Sequence, residues 1–119
     1  MKLYLQGPIT GFEDTYKKNF AEAAEKLRAA GYEVVNPAEL DESEGVRRTK
    51  REYMRRDLKI IINDEAILGI AQLPGSDNSM GSFQEAVVGE AVEILVLPVD
   101  YWLRYKIEAR PEHFLEKGR

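Results

Sequence analysis

The chain has no cysteine among its 119 residues. Disulfides, a thiolate nucleophile and cysteine metal sites are therefore excluded, and redox chemistry does not fix the compartment. Histidine is nearly absent: His113 is the single one. It sits in a charged tail and reads as a surface residue, so a Ser-His-Asp triad and a zinc site both lack members. Long hydrophobic runs are missing too. Lys2-Leu3-Tyr4-Leu5 opens the chain with no apolar stretch of signal-peptide or membrane-span length behind it. The expectation is a cytoplasmic protein with no membrane partner. Gly7-x-x-x-Gly11 is neither GxGxxG nor a Walker loop, which removes support for dinucleotide binding and nucleoside triphosphate hydrolysis. Basic excess is also lacking: 17 Lys and Arg face 21 Asp and Glu, a net charge of −4. That balance argues against a protein that coats nucleic acid.

What is present is an ordinary globular composition, 44% hydrophobic and 32% charged. A chain of this length is expected to form one domain, residues 1–119, burying roughly two-thirds of its unfolded surface. Leu3–Leu5, Tyr32–Val35, Ala66–Ala71 and Ile94–Pro98 read as strands. Helical spacing runs over about 16–30, 49–63 and 80–91. In the first helix, Asp14 or Thr15 is placed to cap and Phe20, Ala23, Ala24 and Leu27 face inward. In the second, Met54, Leu58, Ile61 and Ile62 form the apolar stripe, while Arg47, Arg51, Arg55 and Lys59 share another face. Residues 36–48 read as a polar, solvated loop. The tail from Asp100 carries Tyr101, Trp102, Tyr105 and Phe114, with a short helix near 101–108 and packing at a subunit interface expected of its aromatics. Alternating strands and helices predict a three-layer α/β/α, Rossmann- or flavodoxin-like fold. Its sheet would be mainly parallel, with four to five strands and 2-1-3-4 as the default order.

The strand–loop–helix passage Leu73-Pro74-Gly75-Ser76-Asp77-Asn78-Ser79-Met80-Gly81-Ser82-Phe83-Gln84-Glu85 is how such a sheet builds a ligand site at the carboxyl ends of its strands. Its backbone N–H groups, its hydroxyls and the helix N-terminus suit a polar or anionic ligand, and Glu85 can face the loop. Each carboxylate has a plainer reading. Asp57 lies four residues from Tyr53 and alone would pair with a neighbouring arginine, Glu85 alone would be a surface helix residue, and Asp64 reads as a turn residue. The arginine-rich stretch 47–56 reads as a solvated or subunit-facing helix surface, with nucleic acid an unfavoured partner. Together, two carboxylates beside an open polar loop suit chemistry at an anomeric carbon.

Several pieces add up to a resemblance. They are Tyr4-Leu5-x-Gly7-Pro8-Ile9-Thr10-Gly11, then Phe20 to Gly31 with Val35-Asn36-Pro37-Ala38, then Tyr53-Met54-Arg55-Arg56-Asp57-Leu58, and Leu73-Pro74-Gly75-x-x-x-Ser79-x-Gly81-x-x-x-Glu85. In this order they cover residues 1–98. The chain resembles the nucleoside 2-deoxyribosyltransferase superfamily, in its small DUF4406-like phage and bacterial branch, related to the 2′-deoxynucleoside 5′-monophosphate N-hydrolases. The resemblance implies that Glu85 attacks C1′ and that Asp57 handles the leaving base or holds the sugar. It places Tyr4, Gly7, Pro8, Ile9, Thr10, Gly11, Gly75, Asn78, Ser79 and Gly81 around the substrate, a nucleoside or nucleotide. Ser79 stands where transferases carry a sugar-binding aspartate and the hydrolases a phosphate-binding serine, which tilts the expectation toward a nucleotide. No metal or organic cofactor is implied, and a homo-oligomer is.

Two departures matter. Pro8 and Thr10 stand where the hydrolases have serine and arginine, and Phe83 replaces a glycine two residues before the glutamate; Phe83 reads as core. These departures motivate an alternative, a non-catalytic protein that holds a nucleotide or nucleotide-derived ligand.

Overall fold

Period-2 alternation in the first strand decides how the molecule is layered. In β1 (Lys2–Gln6), Leu3 and Leu5 point to one side of the sheet while Tyr4 and Gln6 point to the other. All four are buried. The computed structural model describes residues 1–107. His113 and Phe114 lie outside the described residues.

The remaining elements are α1 (Tyr16–Ala29), β2 (Glu33–Val35), α2 (Pro37–Glu44), α3 (Lys50–Asn63), β3 (Ile67–Gln72), α4 (Met80–Ala91), β4 (Leu95–Pro98) and α5 (Val99–Tyr105). A single 3-10 turn, Ser76–Asn78, precedes α4. The four strands form one sheet in the order β2-β1-β3-β4, and every pairing is parallel. This is the three-layer α/β/α, Rossmann- and flavodoxin-like arrangement, in the expected strand order. The chain winds outward from β1 in one direction and from β3 in the other, so the switch point falls between those two strands.

On one face, Leu3, Leu5 and Ala71 pack against Phe20, Ala23, Ala24 and Leu27 of α1 and against Val99 and Trp102 of α5. On the other face, Tyr4, Ile67 and Ile70 meet Ile61 of α3, with Val88 of α4 alongside. Glycines set two of the close approaches. A Cβ on Gly69 would come within 2.5 Å of the Trp102 ring, and one on Gly89 within 2.6 Å of Ile70 Cδ1. Helix α3 starts on a complete capping box: Thr49 accepts from the Glu52 amide and Glu52 reaches back to the Thr49 amide.

Several expectations fail, each for a local reason. Residues 37–44 are helix rather than loop. Asn36 caps its start through the Ala38 amide, Pro37 occupies the first turn, and Gly45 ends it at φ 64°. Its acids are not simply solvated, because Asp41 and Glu44 pair with Arg56. Thr15 occupies the N-cap position of α1 but makes no side-chain cap bond. Ile62 is 52% exposed, because the sheet-facing stripe of α3 passes through Ile61 instead. Trp102 is fully buried rather than interfacial, and its indole N–H faces the carbonyls of Ile70 and Leu97. Tyr101 and Tyr105 of the same helix are exposed.

Candidate active site

Glu85 lies six residues past Ser79 on the inner face of α4, and it is only 7% exposed. A carboxyl in such a place needs partners, and β1 supplies them. The Tyr4 hydroxyl donates to Glu85 Oε2 at 2.6 Å. Gln6 donates through Nε2 to Glu85 Oε1 at 3.3 Å and to the Ser82 carbonyl at 3.1 Å. Gln72, at the end of β3, donates to Gln6 Oε1 at 2.8 Å.

Asp57 approaches the same hydroxyl from α3. Tyr4 acts on both acids, which in turn raise its own pKa further beyond what burial does. The two predicted carboxylates therefore share one side of the sheet, at the carboxyl end of β1. Asp57 also forms the expected arginine pair, with Arg56 at 2.8 Å. Arg56 is held in turn by Asp41 and Glu44, each at 2.7 Å, and its guanidinium lies 5.4 Å from the centroid of the Tyr53 ring.

The electrostatics follow from burial. Desolvation pushes the Glu85 carboxyl up to about 8, against the opposing hydrogen bonds from Tyr4 and Gln6 and with a contribution from Asp57 in the same direction as burial. Asp57 is raised for the same first reason, although Arg56 pulls it down. At neutral pH the Glu85 carboxyl is thus mostly protonated, while its Tyr4 and Gln6 donors are aimed at where an ionised form would hold charge.

The loop residues divide into two groups. Gly7 is buried, and a Cβ there would meet Leu73 and Phe20 at 2.9–3.0 Å, so its packing requires a glycine. A Cβ on Gly75, which sits at φ 89°, would come within 3.2 Å of Pro8, so the first loop and the 75–79 segment lie side by side. Ile9, Thr10, Gly11 and Asn78 are exposed, with Gly11 at φ 88°. Ser79 caps α4 by accepting from the Ser82 amide at 3.3 Å. Gly81 is the close-approach point of α3 on α4, facing Met54. Phe83 is 58% exposed and lies on the outer surface of α4 rather than in the core.

Sequence reading missed Gln6, Gln72 and Ser82. The Ser82 hydroxyl is buried one turn before Glu85 without a hydrogen-bond partner. The available signal was register: Gln6 shares its face with Tyr4, and Ser82 shares its helix face with Glu85 at three-residue spacing.

Two clefts open nearby. One of about 300 Å³ runs between the ends of β3 and β4, lined by Gln72, Gly75, Ser76, Asp77 and Asp100 among others. The second, of about 360 Å³, is lined by Lys50, Arg51, Met54, Arg55 and Gln84. Neither is lined by Glu85 or Asp57. No group of three or more acids and histidines suited to a metal ion occurs among the described residues.

No curated protein matches the chain. The model of a family described as a domain of unknown function (DUF4406) matches residues 1–98, and the chain belongs to that family.

Proposed function

We propose that the protein cleaves or transfers the N-glycosidic bond of a (deoxy)nucleoside or its 5′-monophosphate, with Glu85 as nucleophile. The observation that carries this reading is the convergence of Glu85 and Asp57 on the Tyr4 hydroxyl beside the switch point of the sheet. The kinship with nucleoside 2-deoxyribosyltransferases suggested by the sequence supports it.

In this reading an ionised Glu85 oxygen attacks C1′ and forms an ester as the C1′–N bond breaks. The bonding pair leaves with the base, which takes a proton from Asp57 or water. Water, or a second base, then displaces Glu85 from C1′ and restores the carboxylate, its proton passing to the group that protonated the departing base. Asp57 is suited to the proton because burial raises its pKa above that of an ordinary aspartate. In this reading the site opens to admit substrate, because the Glu85 carboxyl is only 7% exposed. The reaction needs no metal, because carboxylate chemistry and positioning carry it. Ser79 and the α4 N-terminus favour a phosphate-bearing substrate.

A second reading, a binding protein for a nucleotide or nucleotide-derived ligand, is favoured by one observation: Glu85 is buried, raised to about 8, and outside both clefts. Incubation with each nucleoside and each 5′-monophosphate, followed by chromatography for free base, separates the two. Base release is expected from at least one of them, whereas tight binding without release would select the second reading.

A further inference from the structure

The hydrogen bonds behind Glu85 have a fixed direction. An amide can turn over, exchanging its oxygen and nitrogen, unless its neighbours forbid it. The Ser82 main-chain carbonyl only accepts, so the Gln6 nitrogen must face it, at 3.1 Å. The same nitrogen then faces Glu85 Oε1, and the Gln6 oxygen is left to receive the Gln72 amide at 2.8 Å. Turned over, Gln6 would set its oxygen against both the Ser82 carbonyl and Glu85, and its nitrogen against the Gln72 nitrogen. With Tyr4 on Oε2, both oxygens of Glu85 are held from β1. Gln6 is buried, while Gln72 is half-buried and lines the cleft between β3 and β4.

We propose that Gln6 and Gln72 are positioning residues, an amide relay that orients the Glu85 carboxyl for attack and stabilises its ionised form. The proposal rests on the reading of Glu85 as nucleophile. Gln72 acts at a distance: by donating to the Gln6 oxygen it locks the amide and strengthens the donation from its nitrogen. Simple packing by two polar side chains would leave the ionisation of Glu85 indifferent to Gln72.

The test does not require turnover. Carboxyl-carbon NMR of glutamate-labelled protein follows the Glu85 titration in the wild type, Gln72→Leu, Gln6→Leu and the double variant. Gln72→Leu is expected to move the Glu85 midpoint upward by about half a pH unit or more, since a donor favouring the carboxylate is weakened. In the Gln6→Leu background the same change should move it no further, because the relay is already cut. An unchanged midpoint in Gln72→Leu overturns the proposal, and so does an equal shift in both backgrounds, which would be through-space electrostatics. Should Gln6→Leu fail to fold, the wild-type Gln6 and Gln72 side-chain amide protons decide. Both should titrate in step with Glu85, and a silent Gln72 overturns the relay. Where base release is measurable, Gln72→Leu should lose rate at pH 7 and regain it at pH 9. A failure of catalysis alone leaves these titrations intact, so the two readings fail separately.

Discussion

Tyr4 has one hydroxyl proton and two acids that draw on it, and it gives that proton to Glu85 at 2.6 Å. Removing it should make Glu85 still harder to ionise. Tyr4→Phe is therefore expected to move the half-maximal pH of base release upward, measured as kcat/KM against pH. A profile unchanged from the wild type would remove Tyr4 from the site. Glu85 also makes stability depend on pH. Its pKa is about 8 folded against 4.5 for the ordinary group. The folded state thus holds an extra proton between those values, and Glu85's contribution is complete below 4.5 and lost as pH rises through 8. Thermal melting should show the wild type falling toward pH 9 by more than Glu85→Gln, whose amide cannot ionise; parallel curves would contradict the burial argument. The acids and Tyr4 were legible because motif residues flank them. Gln6, Gln72 and Ser82 were not, because a glutamine ending a strand looks the same whether it faces water or a carboxyl.

Helix α4 sits close to the sheet because Gly89 lets Ile70 approach, and Gly81 leaves room for Met54 of α3. On the opposite face of the sheet, Gly69 performs the same service for Trp102, whose indole faces two main-chain carbonyls and has nowhere to move. Gly69→Ala should cost about 1–3 kcal/mol in chemical denaturation, the range for overpacking a filled core. Phe83 lies on the other, wet side of α4, so Phe83→Ser should change stability of the isolated chain by within about 0.5 kcal/mol. A large loss there would restore it to the core. Periodicity located α1, α3 and α4 closely, since each has a long apolar stripe. It failed for α2, whose eight residues carry only a weak stripe. There the caps, Asn36-Pro37 and Gly45, were the better signal. It misassigned Ile62 and Phe83 because two apolar residues at helical spacing do not say where the stripe ends. Trp102 was misplaced because its pocket is made by a glycine distant in sequence.

The sheet order β2-β1-β3-β4 matches the default for alternating strands and helices, although no particular residue specified it. What the whole molecule does with its surface was less so. Met80, Phe83 and Val87 form an exposed apolar stripe along α4, the kind of face that a second copy of the chain would cover. Sedimentation equilibrium at micromolar concentration is expected to show a dimer or larger assembly, and a monomer would leave the stripe without that explanation. That Glu85 and Asp57 both act on the Tyr4 hydroxyl could not be measured from spacing, since it depends on which strand face each helix covers. The central claim is that Glu85 forms the bond to C1′. The most direct measurement is the rate of free-base release by wild type and by Glu85→Gln on the nucleoside or 5′-monophosphate that the wild type cleaves. The account predicts a loss of roughly 10³-fold or more with the fold intact; release at the wild-type rate would contradict it.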